Sequence, residues 1–197
     1  MTALPKWNLV SVEDYLAGEL LSPTKHEYLA GVVYAMAGAR NAHNLIATNT
    51  SSALWARLRG SSCRAFNSDT KIRIRLPTHV RFYYPDVSVI CRPNSQSDSF
   101  QDEPTALFEV LSEATRRIDD GEKKDAYVTI PSLQVYVLLE QDSPVAVVYR
   151  RGEAGFVREV YQGLSGVVPL PEIHAELPLS EVYDGVEFTA EPASGGL

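Results

Sequence analysis

The sequence predicts an α/β (α+β) single domain in which a mixed β-sheet is flanked by helices. Three observations carry that expectation. A helical segment, several strands, a second helical segment and more strands follow one another with no linker, repeat or low-complexity block between them. "TKIRIRL" alternates, with Ile72, Ile74 and Leu76 on one face and Lys71, Arg73 and Arg75 on the other, as in a strand with one covered side. "YPDVSVICR", "TALFEVLS" and "LQVYVLLE" are nearly continuous apolar runs, as expected of strands covered on both sides. A chain of 197 residues, 45% apolar and 22% charged, suits one domain with a sizeable core. That domain is expected over 1–197, with its core at about 10–188 and a flexible tail at 189–197.

Each element has a local reason. Ser11 followed by Asp14 resembles a capping box opening the short helix "SVEDYLAGE". "HEYLAGVVYAMAG" reads as two short strands turning at Ala30-Gly31. "NAHNLIATNTSSALWARLRG" is the first long helix, with Asn41 as N-cap, Gly60 as stop, and Leu45, Ile46, Asn49, Ala53 and Ala56 along one face. After the strands around Asp86 and Glu109, a helix is expected from Thr115 or Asp119 to about Thr129, ended by Pro131. "PVAVVYRR" and "FVREVYQ" form a hairpin around Gly152 to Gly155.

Composition narrows the function classes. No apolar run approaches the roughly 20 residues that span a bilayer, and the start lacks the pattern of a signal peptide. Cys63 and Cys91 match no metal or redox spacing and read as two reduced thiols, which points to the cytoplasm. The net charge of −7 argues mildly against nucleic acid, yet it is unevenly spread. Trp55 to Pro85 carries a net +6 and Gly152 to the end −7, compatible with one face meeting a polyanion or with an ordinary solvated face.

The sharpest anomaly is Glu109, an acid between Phe108 and Val110 in an apolar strand. Burying a carboxylate without compensation costs several kcal/mol, so a basic partner, a shared proton or a metal ion is expected nearby. Asp86 follows Tyr84-Pro85 at the start of the preceding apolar strand. Asp119, Lys123 and Tyr127 recur every four residues and share a helical face. If the strands pair side by side, Asp86 and Glu109 converge and Lys123 reaches them from the helix. Two carboxylates beside a lysine suit metal-assisted attack on a phosphodiester, and carboxylate oxygens suit Mg²⁺ or Mn²⁺. A partly desolvated Lys123 beside a metal would have a lowered pKa and act as a base.

In this order "HEYLAGVVYAMAG", "AHNLI", "YPDVSVI", "FEVLSEATRRIDDGEKKDAY" and "IPSLQVYVL" resemble a large bacterial group of restriction-endonuclease-like proteins within the PD-(D/E)xK nuclease superfamily, over about residues 10–188. The resemblance implies a restriction-endonuclease-like core, a Mg²⁺-dependent endonuclease acting on DNA, and a homodimer. It implies Asp86 and Glu109 as the acid pair, Lys123 as the catalytic lysine, and Glu27 as a further metal ligand or supporting acid. His43 would contact a phosphate or support the site, as would Asp119 and Lys124. Lys71, Arg73 and Arg75 would meet nucleic acid. The superfamily's lysine usually lies two residues after the second acid, where this chain has Leu111; here it moves to "DDGEKK", with Lys124 the alternative to Lys123. Plain readings stand beside these: Glu27 could pair with Lys25 or Arg40, Asp119 and Lys123 could form a surface pair, and Tyr127 could be core. Two rival functions follow, a catalytically inactive nuclease-fold partner protein acting as a dimer and a hydrolase of small phosphoesters.

Overall fold

Ser11 accepts the Asp14 N–H at 3.0 Å and opens helix α1, Val12–Glu19, as the capping pattern requires. The computed structural model describes residues 9–113 and 115–188; the expected tail and the first eight residues lie outside them. Strands β1, His26–Leu29, and β2, Val32–Ala35, form a hairpin whose turn puts Ala30 and Gly31 at φ 52° and 97°. Helix α2, Asn41–Arg57, follows. Arg40, extended, holds its N-cap position, so Asn41 is the first helical residue rather than the cap. The stripe that α2 buries is Ile46, Thr50, Ala53 and Leu54, not the face through Leu45 and Ala56, which are exposed.

The strands continue as β3, Arg64–Asn67, β4, Lys71–Arg75, β5, Val80–Tyr83, β6, Val87–Ile90, β7, Phe100–Gln101, and β8, Pro104–Leu111. A π-helical segment, Ile118–Lys123, runs into helix α3, Lys124–Tyr127. Then come β9, Val135–Glu140, β10, Val145–Gly152, β11, Gly155–Gln162, β12, Val167–Leu170, β13, Ala175–Pro178, and helix α4, Leu179–Val182. The expected β10–β11 hairpin closes between Gly152 and Gly155.

The strands divide between two large sheets and a small ladder rather than forming one mixed sheet. The six-stranded sheet runs β11-β10-β9-β8-β6-β3, the five-stranded sheet β2-β1-β5-β4-β7, and β12 pairs with β13. In the six-stranded sheet only β8 and β9 are parallel, because the helical segment between them carries the chain back to the starting end. Alternate residues of β8 face different layers. Phe108 and Val110 pack with Ile46 and Leu54 of α2. Leu107 and Leu111 pack with Tyr127 and Tyr136, and with Ile72, Ile74 and Tyr83 of the five-stranded sheet. Glu109 lies between Leu107 and Leu111 on that second face, so the fold buries it between layers.

Two further expectations are corrected. Arg64 lies opposite Ile90, so the next pair outward is Cys63 and Cys91, and they are joined in a disulfide. Their 28-residue separation hid a direct cross-strand neighbourhood, and the thiols no longer speak for a reducing compartment. Lys71 is not on an open face: it is 4% exposed and donates to the Tyr84 hydroxyl at 3.1 Å. Among the described residues no helix is long and apolar enough to cross a membrane.

Candidate active site

The antiparallel register of β6 and β8 sets Val87 against Phe108, so one step further out Asp86 stands across from Glu109. Pro85 has no N–H to offer the ladder, and beyond the last β6 pair the Val110 N–H donates instead to the side chain of Asp86, whose Oδ2 accepts it at 2.7 Å. The two acids of the sequence argument therefore sit side by side on one face.

The π-helical segment supplies the third group. Asp119 and Lys123, four residues apart and so on one side of it, both face inward, 3% and 8% exposed. The Lys123 ammonium lies 2.9 Å from Glu27 Oε1, 3.4 Å from Asp119 Oδ1 and 3.5 Å from Glu109 Oε1. Those carboxylates come from β1, the π segment and β8, so one amine draws three elements together. Tyr127, which sequence reasoning left in the core, donates its hydroxyl to Glu109 Oε1 at 3.3 Å; its i+4 spacing from Lys123 was the signal. On the other side, His43 in the first turn of α2 places Nε2 3.3 Å from Asp86 Oδ2, and its buried Nδ1 has no partner among the described residues.

Electrostatics follow from burial and excess acid. Burial pushes the Glu109 carboxyl up; Lys123 pulls it down, but Asp119, Asp86 and Glu27 push it up again, and it ends well above the carboxylate range. Burial would lower Lys123, yet Glu109, Glu27 and Asp119 outweigh it and hold the ammonium well above its ordinary value. That reverses the expectation of a lowered lysine in the cluster as it stands. Burial also lowers His43, and the hydrogen bond and charge of Asp86, with Asp119, raise it on balance.

The other expected residues lie elsewhere. Lys124 points outward to Asp120 at 3.1 Å and over the Tyr149 ring, so Lys123 is the lysine among the acids. Arg73 is held in a two-pronged pair by Asp102, with both contacts at 2.7 Å, and Arg75 lies 3.8 Å from the same carboxylate. None of Lys71, Arg73 and Arg75 pairs with the acid cluster.

The donor set suits a divalent cation. Glu27, Asp86, Glu109 and Asp119 outnumber Lys123 and His43, and all offer hard carboxylate oxygens. Glu27 Oε1 and Asp119 Oδ1 are buried and near Lys123 in distance, but not in hydrogen-bond direction, so both retain unused acceptor capacity. Among the described residues, no three His, Cys, Asp or Glu side chains are already drawn close enough together to enclose an ion. The chemistry fits while the rotamers are set around the ammonium.

The model of the Uma2 family, described as "Putative restriction endonuclease", matches residues 12–180. The chain belongs to the Uma2 family. Two relatives are proteins of Synechocystis sp. named as uncharacterized, slr1290 and sll1609. The first is 33% identical over 180 residues, 91% of this chain and 94% of the relative; the second is 30% identical over 144 residues, 72% and 80%. A crystal structure from Anabaena variabilis, titled a "putative nuclease belonging to DUF820", superposes with a TM-score of 0.67 at 19% identity, over 85% of this chain and 96% of that one. At that identity the likeness establishes the shared fold. The Uma2 match makes the chain restriction-endonuclease-like and its function nuclease-like, on a fold it shares with that structure.

Proposed function

We propose that this chain is a Mg²⁺- or Mn²⁺-dependent endonuclease that hydrolyses phosphodiester bonds of DNA as a homodimer. The observation that carries the reading is one buried ammonium within 3.5 Å of carboxylates from three elements, with Asp86 set across the strand pair from one of them. Asp86 and Glu109 would hold the ion, with Glu27 as the further ligand. A divalent ion supplies charge for the attacked phosphate and lowers the pKa of water.

The chain's own residues do the rest. In the metal-free cluster the acids hold Lys123 as the ammonium; beside the ion it would act through its charge, meeting the non-bridging oxygens of the phosphate. Asp119 fixes that ammonium, Tyr127 orients the Glu109 carboxylate, and His43 orients Asp86. Burial between the two sheets limits water at the cluster, which strengthens each of these interactions.

Incubating plasmid with protein and Mg²⁺ or Mn²⁺, beside Asp86→Ala and Glu109→Ala, tests the proposal. Cleavage by the wild type and its loss in both variants is expected; equal cleavage by all three, or none by any, overturns it. The reading of an inactive, dimeric nuclease-fold partner is favoured by one observation, that the Lys123 charge already stands at short range among the acids, where an ion would go. Calorimetric titration with Mn²⁺ separates the two, since that reading expects no binding at millimolar metal.

A further inference from the structure

A second polar site lies away from the acid cluster. A cavity of about 300 Å³ is lined by Arg73, Arg75 and Arg92, by Asp102 and Glu103, and by residues 129–132 after α3. Its volume is at the small end of ligand sites. Three guanidinium groups face two carboxylates, so the cavity is net cationic in a chain that is net acidic.

The carboxylates leave much of this donor capacity unused. Asp102 takes Nε and one terminal nitrogen of Arg73 and lies 3.8 Å from Nε of Arg75, and Glu103 lies 3.0 Å from Nε of Arg92. The remaining terminal N–H groups of Arg75 and Arg92 keep no protein acceptor among the described residues, and both side chains are largely exposed, at 66% and 77%. Capping of the neighbouring helix end does not explain the cluster either. Arg151 already donates to the carbonyls of Val128, Ile130 and Leu133. Arg73 is further braced on the Phe100 ring, 4.1 Å from its centroid, so it is held from two sides while Arg75 and Arg92 stay exposed beside it.

We infer that this cavity is an anion site that takes a phosphate group through the outer edges of Arg75 and Arg92. Planar, two-pronged guanidinium donors match phosphate oxygens, and they carry the site alone, because the Thr129 and Ser132 hydroxyls at the wall already donate to the Ala126 and Pro104 carbonyls. The site stands at the Pro104 end of β8, whose carbonyl accepts the Ser132 hydroxyl, and Glu109 lies five residues along the same strand. That is roughly 17 Å at about 3.3 Å per residue, or about five base pairs of B-DNA. On the nuclease reading, on which this assignment of the phosphate to a DNA strand rests, the site would grip the backbone a few base pairs from the cut. The inference replaces Lys71, which is buried, with Arg92 as a contact of the basic stripe.

Two arms test it, both without cleavage. A fluorescent duplex is titrated in EDTA across a salt series against wild type, Arg75→Ala/Arg92→Ala, and a charge-matched control, Arg59→Ala/Arg158→Ala. The pocket variant should bind more weakly and lower the slope of log affinity against log salt by about one for the lost phosphate contact, with a smaller change in the control. Inorganic phosphate is titrated calorimetrically into the same proteins. Phosphate binding lost in the pocket variant, with no duplex binding by the wild type, keeps the anion site and removes the DNA strand as its source. Duplex binding with the expected slope change, beside an absence of plasmid cleavage, keeps the site and removes the nuclease reading. An equal slope in the pocket variant and wild type, or binding of neither ligand by the wild type, overturns the inference.

Discussion

Replacing Lys123 with Met removes the one ammonium that, among the described residues, stands between these three carboxylates, while keeping most of the side chain's volume over the Tyr83 ring. Glu109 and Asp119 have side chains only 4% exposed and Glu27 only 16%, so water cannot replace the lost charge. Breaking a buried ion pair from one side costs about 3–5 kcal/mol. For a chain of this size each kcal/mol is about 2–4 °C in Tm, so a fall of about 6–20 °C is expected. Thermal unfolding in EDTA, followed by circular dichroism, measures it. The deficit should shrink as pH falls and Glu109 takes up a proton, and Glu109→Gln in the Lys123→Met background should recover part of it. A Lys123→Met protein as stable as wild type at neutral pH would refute the reasoning, because the acids would then need no ammonium.

Glu109→Gln alone should stabilise the metal-free protein by about 0.5–2 kcal/mol while abolishing cleavage. Its folded pKa is raised, so the ionised form costs stability as pH climbs above the ordinary carboxylate value; urea unfolding should show the gain near neutral pH and lose it towards pH ~4. Asp102 behaves oppositely: burial alone would raise it, but the Arg73 fork, Asn94 and Arg75 hold it down. Its contribution is complete above the ordinary value of about 3.9 and fades as pH falls through the folded one, so the stability gap between wild type and Asp102→Asn should narrow below pH ~4 in an acid titration. Reducing the Cys63–Cys91 bond opens a 28-residue loop and should cost about 2–4 kcal/mol, read as a lower Tm with dithiothreitol. Thiol titration of the denatured, unreduced protein should find no free thiol. Tyr127→Phe should lower kcat more than it lowers stability, since it removes one hydrogen bond from Glu109 and little volume.

The parts of the site that could be read in the sequence were those with a local reason. An acid inside an apolar run and an acid after Pro85 violate the strand pattern, and such violations mark where something compensates. The four-residue rhythm of Asp119, Lys123 and Tyr127 put them on one side, and the structure sets all three against the Glu109 cluster. What stayed hidden depended on pairings between distant segments. The Cys63–Cys91 contact needs the β3–β6 register, and the burial of Lys71 needs the packing of Tyr15 and Tyr84 over it. Alternation in "KIRIR" told the faces apart but could not say that both would be covered at Lys71. On α2 the expected stripe holds at Ile46 and Ala53, but Leu45 and Ala56 at its edge face out and Thr50 and Leu54 face in, because only the docking of the helix sets where the stripe ends.

The widened turn at Ile118–Lys123 makes the pitch of this segment as consequential as its lettering. An ordinary helix turns about 400° over four residues, so Asp119, Lys123 and Tyr127 would drift about 40° per step and about 80° in all. The wider turn advances less per residue and takes back one of those steps, which keeps the three side chains on the Glu109 cluster. A segment of ordinary pitch could encode every residue of the cluster and still fan it out.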